Sequence, residues 1–280
     1  PLHLGQAEGL PAGVAGAPVN RSAWVRSTDG RVIAVSSPGW RPMQPRAVVE
    51  FMRDYVEAGE ATLETAGQLY RGKLIWSLAN LNDSFEVRPG DKVRGFLLIS
   101  APNEVGKAIT VRLTTVRVVC ANTMAYAFNA QMGLNVYRQG HMKEFDADSA
   151  KAAVAEAHEG LRRAEAAAKT IDGLKLSLGD AIDKVLLPVM APSVVEEGPE
   201  AMAELSLTDN QPKWLRQIVE SITGAPGQAD VKGTGWGVLN GVTHWADHVA
   251  GRNNDARLAN AWYGERSRVK QKVHDRLLEL

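Results

Sequence analysis

Cationic side chains recur along three predicted strands in the first half of the chain, and two aromatic residues accompany them. Guanidinium and ammonium groups neutralise phosphates, and neighbouring aromatic rings stack on bases, so this combination is typical of proteins that hold single-stranded nucleic acid without reading its sequence. If the strands are neighbours in one sheet, part of the set forms a positive stripe. The residues are Arg71, Lys73, Arg94, Arg112 and Arg117, with Tyr70 and Trp76 as stacking or core aromatics.

The alternation of side chains along a strand decides which of these cations share a face. Over Gln68–Leu81, interpreted as one strand, Arg71 and Lys73 fall on the same face. Arg112 and Arg117 fall on opposite faces of the third strand. Cations on a sheet also protect it against pairing with another chain. The pattern therefore leaves two roles open, phosphate binding and protection of an exposed sheet.

Other patterns that could support chemistry are weaker. His244 and His248 have the spacing of metal ligands on a helix, but Trp245 stands where zinc proteases carry a glutamate, so we expect a structural pair. The segment Gly233–Gly237 lacks the spacing and the lysine of a phosphate loop. No Gly-x-Ser-x-Gly motif is present, and the single cysteine, Cys120, has apolar neighbours. We predict no catalytic residues, no metal, no cofactor and no enzymatic activity.

Composition excludes several classes of protein. Hydrophobic residues make up 45% of the 280 positions, which excludes a fully disordered chain. No apolar run approaches the ~18–20 residues of a membrane span, so we expect no membrane association. Basic and acidic residues number 32 each, but their balance is +4 over residues 1–145, −7 over 146–251 and +3 over 252–280. This asymmetry is compatible with an anionic partner at the basic segments.

The elements that would position the cations follow the order β-β-α-β-β-β-α. Asp29 and Gly30 lie between two β-prone runs and predict a hairpin, and a helix ending near Gly59 follows it. A helix over Cys120–Phe128 is predicted to continue directly from the last strand. The three strands before it are predicted at Gln68–Leu81, Val93–Ser100 and Ala108–Val119, and a further strand around Leu63, before the first of them, stays open. Without βαβ alternation, this order predicts an α+β fold with an antiparallel sheet, followed by a helical C-terminal region.

The chain divides by composition into four predicted segments. A flexible arm is expected over residues 1–19 and the α+β core over 20–145. An acidic helical region is expected over 146–232, and a C-terminal helical pair over 233–280. The last predicted helix is basic and carries Arg266, Arg268, Lys270, Lys272 and Arg276.

Several segments resemble the phage- and plasmid-like proteins of a family known only as a domain of unknown function, number nine-three-two. The segments are Ala66–Leu81, Val93–Ser100, Val111–Met124, Gly233–Gly237, Asn240–His248 and Lys270–Lys272. The resemblance covers about residues 20–280 and is most specific over 110–124. It implies a phage or plasmid origin, and with it the cytoplasm of a bacterial host. It implies no biochemical activity.

The predicted topology is also similar to that of the Rad-fifty-two-type single-strand annealing proteins, which form rings with a basic groove for single-stranded DNA. No shared motif anchors an alignment, so no residues are carried over from this analogy. Together with the cationic strands, it predicts a homo-oligomer, with a ring as one arrangement, that binds single-stranded DNA and promotes annealing or recombination. Two alternatives stay open: a structural or host-interaction protein that uses its acidic helices, and an enzyme whose site is assembled from scattered residues.

Overall fold

The computed structural model describes residues 2–5, 21–119, 122–124, 137–154, 157–207 and 211–280. It confirms an α+β fold with antiparallel pairing and a helical C-terminal region. The strands are β1 (Leu2–Gly5), β2 (Ser22–Arg26), β3 (Val32–Ser36), β4 (Thr62–Leu69), β5 (Leu74–Glu86), β6 (Lys92–Pro102), β7 (Ile109–Arg117), β8 (Asn122–Met124) and β9 (Tyr137–Gln139).

The helices are concentrated after β9. They are α1 (Pro45–Glu57), α2 (Ala147–Val154), α3 (Ala157–Gly173), α4 (Leu178–Ala181), α5 (Leu187–Met190), α6 (Pro192–Glu197), α7 (Pro199–Leu207), α8 (Lys213–Gly224), α9 (Gly235–His244), α10 (Asn254–Tyr263) and α11 (Glu265–Leu278). Two π-helical segments, Ile182–Leu186 and Trp245–Val249, continue α4 and α9.

Among the described residues, the first sheet has the order β1-β2-β3. β2 and β3 form the predicted hairpin, and Gly30 takes the left-handed backbone conformation that its turn requires, with φ of 68°. The sheet packs through Trp24, whose ring centroid lies 5.8 Å from that of Trp40. The Trp24 indole also donates to the Ser36 hydroxyl at 2.9 Å. Of the predicted arm over residues 1–19, the structure describes the backbone of β1.

The second sheet has the order β4-β5-β6-β7-β8 in the described residues, and β9 pairs with β7 at the end opposite β8. The strand predicted over Gln68–Leu81 is wrong at its start, because Gln68 and Leu69 end β4 and a tight turn over Tyr70–Gly72 separates them from β5. The additional strand that the sequence suggested around Leu63 is β4. The helix predicted over Cys120–Phe128 lies mostly outside the described residues, and its described part is strand β8.

The chain folds into two compact units. The first comprises Pro1–Asn82, Phe96–Leu113 and Asn135–Ala157, and the second comprises Asp83–Gly95, Thr114–Leu134 and His158–Leu280. Strands β5, β6 and β7 therefore contribute residues to both units. The predicted cations of the sheet therefore belong to different units. Arg71, Lys73 and Arg112 lie in the first unit, and Arg94 and Arg117 lie in the second.

The glycines of Gly233–Gly237 allow close packing within the second unit. A Cβ on Gly235 would lie 2.6 Å from the carbonyl oxygen of Ile171, so only glycine fits there. The Thr234 hydroxyl accepts from the Gly237 amide at 3.2 Å and caps α9. The segment is therefore a tightly packed helix start, in agreement with its poor match to a phosphate loop.

The predicted C-terminal pair contains one more helix than expected, because the last helix is interrupted at Gly264 between α10 and α11. The last helix, α11, also exposes fewer positive charges than its sequence suggests. Lys270 is buried, and its ammonium group donates to the carboxylate of Asp247 at 2.8 Å. Lys270 therefore does not contribute to an exposed basic surface on this helix.

We expect His141 to make the stability of the first unit sensitive to pH. Its ring is buried, stacks on Trp40 with centroids 4.7 Å apart, and lies 2.8 Å from the carbonyl oxygen of Arg41. Burial lowers the pKa of His141 from its ordinary value of 6.5. The unfolded chain then binds a proton at His141 more readily than the folded chain does. The stability that the neutral, buried ring contributes is therefore complete above pH 6.5, and it declines as the pH falls through that value.

We expect the free energy of unfolding to decrease between about pH 7 and pH 5, the range in which an ordinary histidine titrates. Replacement His141→Gln should make this decrease smaller. Urea unfolding of both proteins across the range measures it. Parallel profiles would show that His141 does not cause the loss.

Candidate nucleic-acid interface

The turn between β4 and β5 brings three of the predicted site residues together. Tyr70, Arg71 and Gly72 all have left-handed backbones, with φ of 52°, 58° and 94°. Residues other than glycine adopt this conformation at a cost of order 1–3 kcal/mol each, and such strain clusters at functional sites. The strain places the side chains of Tyr70, Arg71 and Lys73 at one exposed tip of the first unit. We call these three residues the cationic turn.

The backbone of the cationic turn is held in place from two sides. Arg26 of β2 donates a hydrogen bond to the carbonyl oxygen of Arg71 at 2.7 Å. The amide of Asn103 donates to the carbonyl oxygen of Lys73 at 2.6 Å. Arg26 is itself fixed by Asp29, and this ion pair lowers the pKa of the Asp29 carboxyl to about 2. The turn is thus preorganised, and its positive side chains extend into solvent.

The two charges of the cationic turn are available to an anion. Across the part of the chain that the structure describes, no ion pair involves Arg71 or Lys73. The Tyr70 ring beside them is 39% exposed. A phosphate at this tip would meet a guanidinium group and an ammonium group next to a flat aromatic surface.

The Trp76 ring packs within the hairpin that β4 and β5 form. It lies opposite Gly67 in the register of β4 and β5, and a Cβ on Gly67 would lie 3.0 Å from the Trp76 ring. A large ring on the neighbouring strand covers the gap that a strand glycine leaves. Of the two roles considered for Trp76, stacking on bases or packing, the half-buried ring therefore provides packing.

Arg94 and Arg112 are found in different units. Arg94 is exposed on the part of β6 that belongs to the second unit. Arg112 is half-buried on the part of β7 that belongs to the first. Neither residue belongs to the cationic turn.

Arg117 is buried, which corrects its prediction as an exposed phosphate contact. It is 1% exposed, and its guanidinium group donates to both carboxylate oxygens of Asp91, at 2.6 and 3.0 Å. It also donates to the carbonyl oxygen of Gly227 at 3.1 Å. The Trp236 indole donates to the same Asp91 carboxylate at 2.9 Å. Arg117 therefore stabilises the second unit, and a phosphate cannot reach it in this fold.

Sequence reasoning missed two residues that matter here, Arg26 and Asp91. Arg26 acts on the turn through a backbone carbonyl, so no pattern of charges marks it. Asp91 lies 26 positions before its partner Arg117, at a Pro-Gly turn that is typical of a solvated loop. For the turn itself, the sequence did contain a signal. Gly72 follows Tyr70 and Arg71 within a predicted strand, and a glycine at such a position indicates a turn.

A family model described as "Domain of unknown function (DUF932)" matches residues 32–269. The chain belongs to this family. The family resemblance predicted from the Val111–Met124 segment is confirmed at that level. The match to DUF932 includes the cationic turn and the buried Asp91–Arg117 pair. Neither a curated protein nor a solved structure matches the chain.

The helices that the structure describes in this DUF932 protein are short or polar. None of them combines sufficient length with sufficient apolar character to cross a bilayer. This agrees with the absence of a long apolar run in the sequence.

Proposed function

We propose that this protein binds single-stranded DNA through the cationic turn and promotes strand annealing or recombination as a homo-oligomer. The observation that carries the proposal is the strained, exposed tip on which Tyr70, Arg71 and Lys73 stand together. Proteins retain strained backbone where it positions functional groups, and the groups positioned here suit a phosphate and a base.

Binding would be electrostatic. Arg71 and Lys73 would replace counterions on the phosphates, and Tyr70 would offer its ring to an adjacent base. The bases would otherwise remain free to pair, which is what annealing requires. No catalytic group or cofactor takes part in this mechanism.

The small number of cations explains why an oligomer is proposed. Each phosphate neutralised on single-stranded nucleic acid contributes about −0.7 to the slope of log K against log salt, so two cations contribute about −1.4. One subunit alone would bind weakly. Repeating the turn around an oligomer, for example a ring, would place several turns on one strand and raise the avidity without new contacts. A phage or plasmid origin and the cytoplasm of a bacterial host fit this role.

The double substitution Arg71→Ala with Lys73→Ala tests the proposal. We expect at least tenfold weaker binding to a fluorescent oligothymidylate, and a salt slope that is shallower by about 1.4 per bound subunit. Fluorescence anisotropy across a salt series measures both quantities.

The matched control is Arg46→Ala with Lys107→Ala, which removes the same charge from exposed residues that pair with Glu50 and Glu104. This control should bind like the wild type. If the double variant of the cationic turn folds and binds with unchanged affinity and slope, the assignment fails.

A second candidate function is docking of a host or structural protein partner. It is favoured by helices α6 and α7, because α6 buries none of its residues and the exposed positions of the pair include four acidic residues. The four are Glu196, Glu197, Glu200 and Glu204. Under this alternative, the protein would not bind oligonucleotides, and a basic protein surface would be the partner.

A further inference from the structure

Two histidines at the end of α9 face each other across one turn. The ring centroids of His244 and His248 are 5.0 Å apart, with the ring planes inclined at 41°. His244 is the last residue of α9, and His248 lies in the π-helical segment that continues it. Wide single turns of this kind occur frequently at functional sites. The His248 ring is exposed, so solvent reaches the pair.

The separation of the rings matches joint coordination of one metal ion. A Zn–N bond of about 2.0–2.1 Å places each imidazole centroid roughly 3.2 Å from the ion. Two centroids at that distance and 5.0 Å apart subtend an angle of about 100° at the ion, close to the tetrahedral value. The spacing of the two rings therefore suits two neighbouring positions of a tetrahedral site.

His244 is also oriented as metal-binding histidines are. Its Nδ1 lies 3.1 Å from the hydroxyl oxygen of Ser221 on α8, and Ser221 is buried. A hydrogen bond to one ring nitrogen fixes the ring and leaves the other nitrogen, Nε2, for a ligand.

We propose that His244 and His248 form a two-imidazole site for Zn²⁺, with water or an exogenous ligand in the remaining positions and Ser221 as a positioning residue. Among the described residues, no group of three or more His, Cys, Asp or Glu side chains could hold a metal ion. The site is therefore open, with weaker affinity than a closed structural zinc site. Asp247 between the histidines is ion-paired with Lys270. This inference does not depend on the proposed nucleic-acid binding.

Isothermal titration of the full chain with Zn²⁺, after treatment with a chelator, tests the site. We expect one ion per chain, and a loss of affinity of at least tenfold for His248→Ala, because one of two protein ligands is removed. The exposed position of His248 makes this variant safe for folding. Replacement Ser221→Ala should reduce affinity by about tenfold, the lower range seen when a hydrogen bond behind a metal ligand is lost.

The control is Arg252→Ala, an exposed substitution in the loop that follows the π-helical segment. It should bind Zn²⁺ like the wild type. Histidine ring signals in an NMR titration provide a second measurement, and two histidines should shift together in the wild type. The proposal is overturned if the wild type binds no Zn²⁺ or if His248→Ala retains the affinity of the wild type.

Discussion

Replacement of Asp91 with alanine is expected to lower the free energy of unfolding by about 3–5 kcal/mol, the range seen when one partner of a buried ion pair is removed. Asp91 is 5% exposed and Arg117 is 1% exposed. Without the carboxylate, the guanidinium group stays in a buried site without its charged partner. The Trp236 indole loses its hydrogen-bond acceptor in the same step. Chemical unfolding of the variant and the wild type measures the difference.

Two further variants separate this effect from simple loss of charge. Glu50→Gln breaks the exposed Arg46–Glu50 pair on α1 and should cost less than about 1 kcal/mol, because solvent screens both charges. Asp91→Leu combined with Arg117→Met removes both buried charges and should recover much of the stability lost by Asp91→Ala. If Asp91→Ala is as mild as Glu50→Gln, the buried pair does not stabilise the second unit as inferred.

The Asp91 network joins two distant segments of the chain on which the family resemblance rests. Arg117 belongs to the Val111–Met124 segment, and Trp236 belongs to Gly233–Gly237. Both donate to one carboxylate, although Trp236 lies 145 residues from Asp91. The residues that carry the family resemblance therefore include a structural network in the second unit.

The fold could be predicted from sequence where the signal is local. Asp29 and Gly30 between β-prone runs define a hairpin, and Pro45 followed by apolar residues at helical spacing defines α1. Strands β6 and β7 are long runs of apolar and β-branched residues. The error at Gln68–Leu81 arose because Tyr70 and Arg71 adopt a left-handed turn that their residue types disfavour.

The candidate site was predictable only in part. Charge and spacing identified Arg71 and Lys73, which are close together in the chain and exposed. Charge and spacing could not show that Arg71 and Lys73 are exposed while Arg117 is buried. The alternation along a strand tells which face a side chain lies on, but it does not tell what packs against that face. The burial of Arg117 depends on Asp91 and Gly227, whose proximity is a tertiary property.

Replacement of Gly241 with alanine is expected to destabilise the second unit by about 3 kcal/mol, at the upper end of the usual range for overpacking. Gly241 lies in α9, where that helix packs against Ile222 of α8. A Cβ on Gly241 would lie 2.8 Å from the Cα and 2.9 Å from the backbone nitrogen of Ile222. Backbone atoms cannot rotate away as the end of a side chain can, so the two helices must separate.

Gly224→Ala is the matched control, because Gly224 ends α8 and a Cβ there would meet nothing within 4 Å. Alanine is more favourable than glycine in a helix by up to about 1 kcal/mol, so Gly224→Ala should leave the stability unchanged or increase it. The same glycine-to-alanine change is thus expected to destabilise the protein at position 241 and to be neutral or stabilising at position 224. Thermal unfolding monitored by circular dichroism measures both variants. Equal stability of the two would show that α8 and α9 do not approach as closely as described, and the position of His244 against Ser221 would then need revision as well.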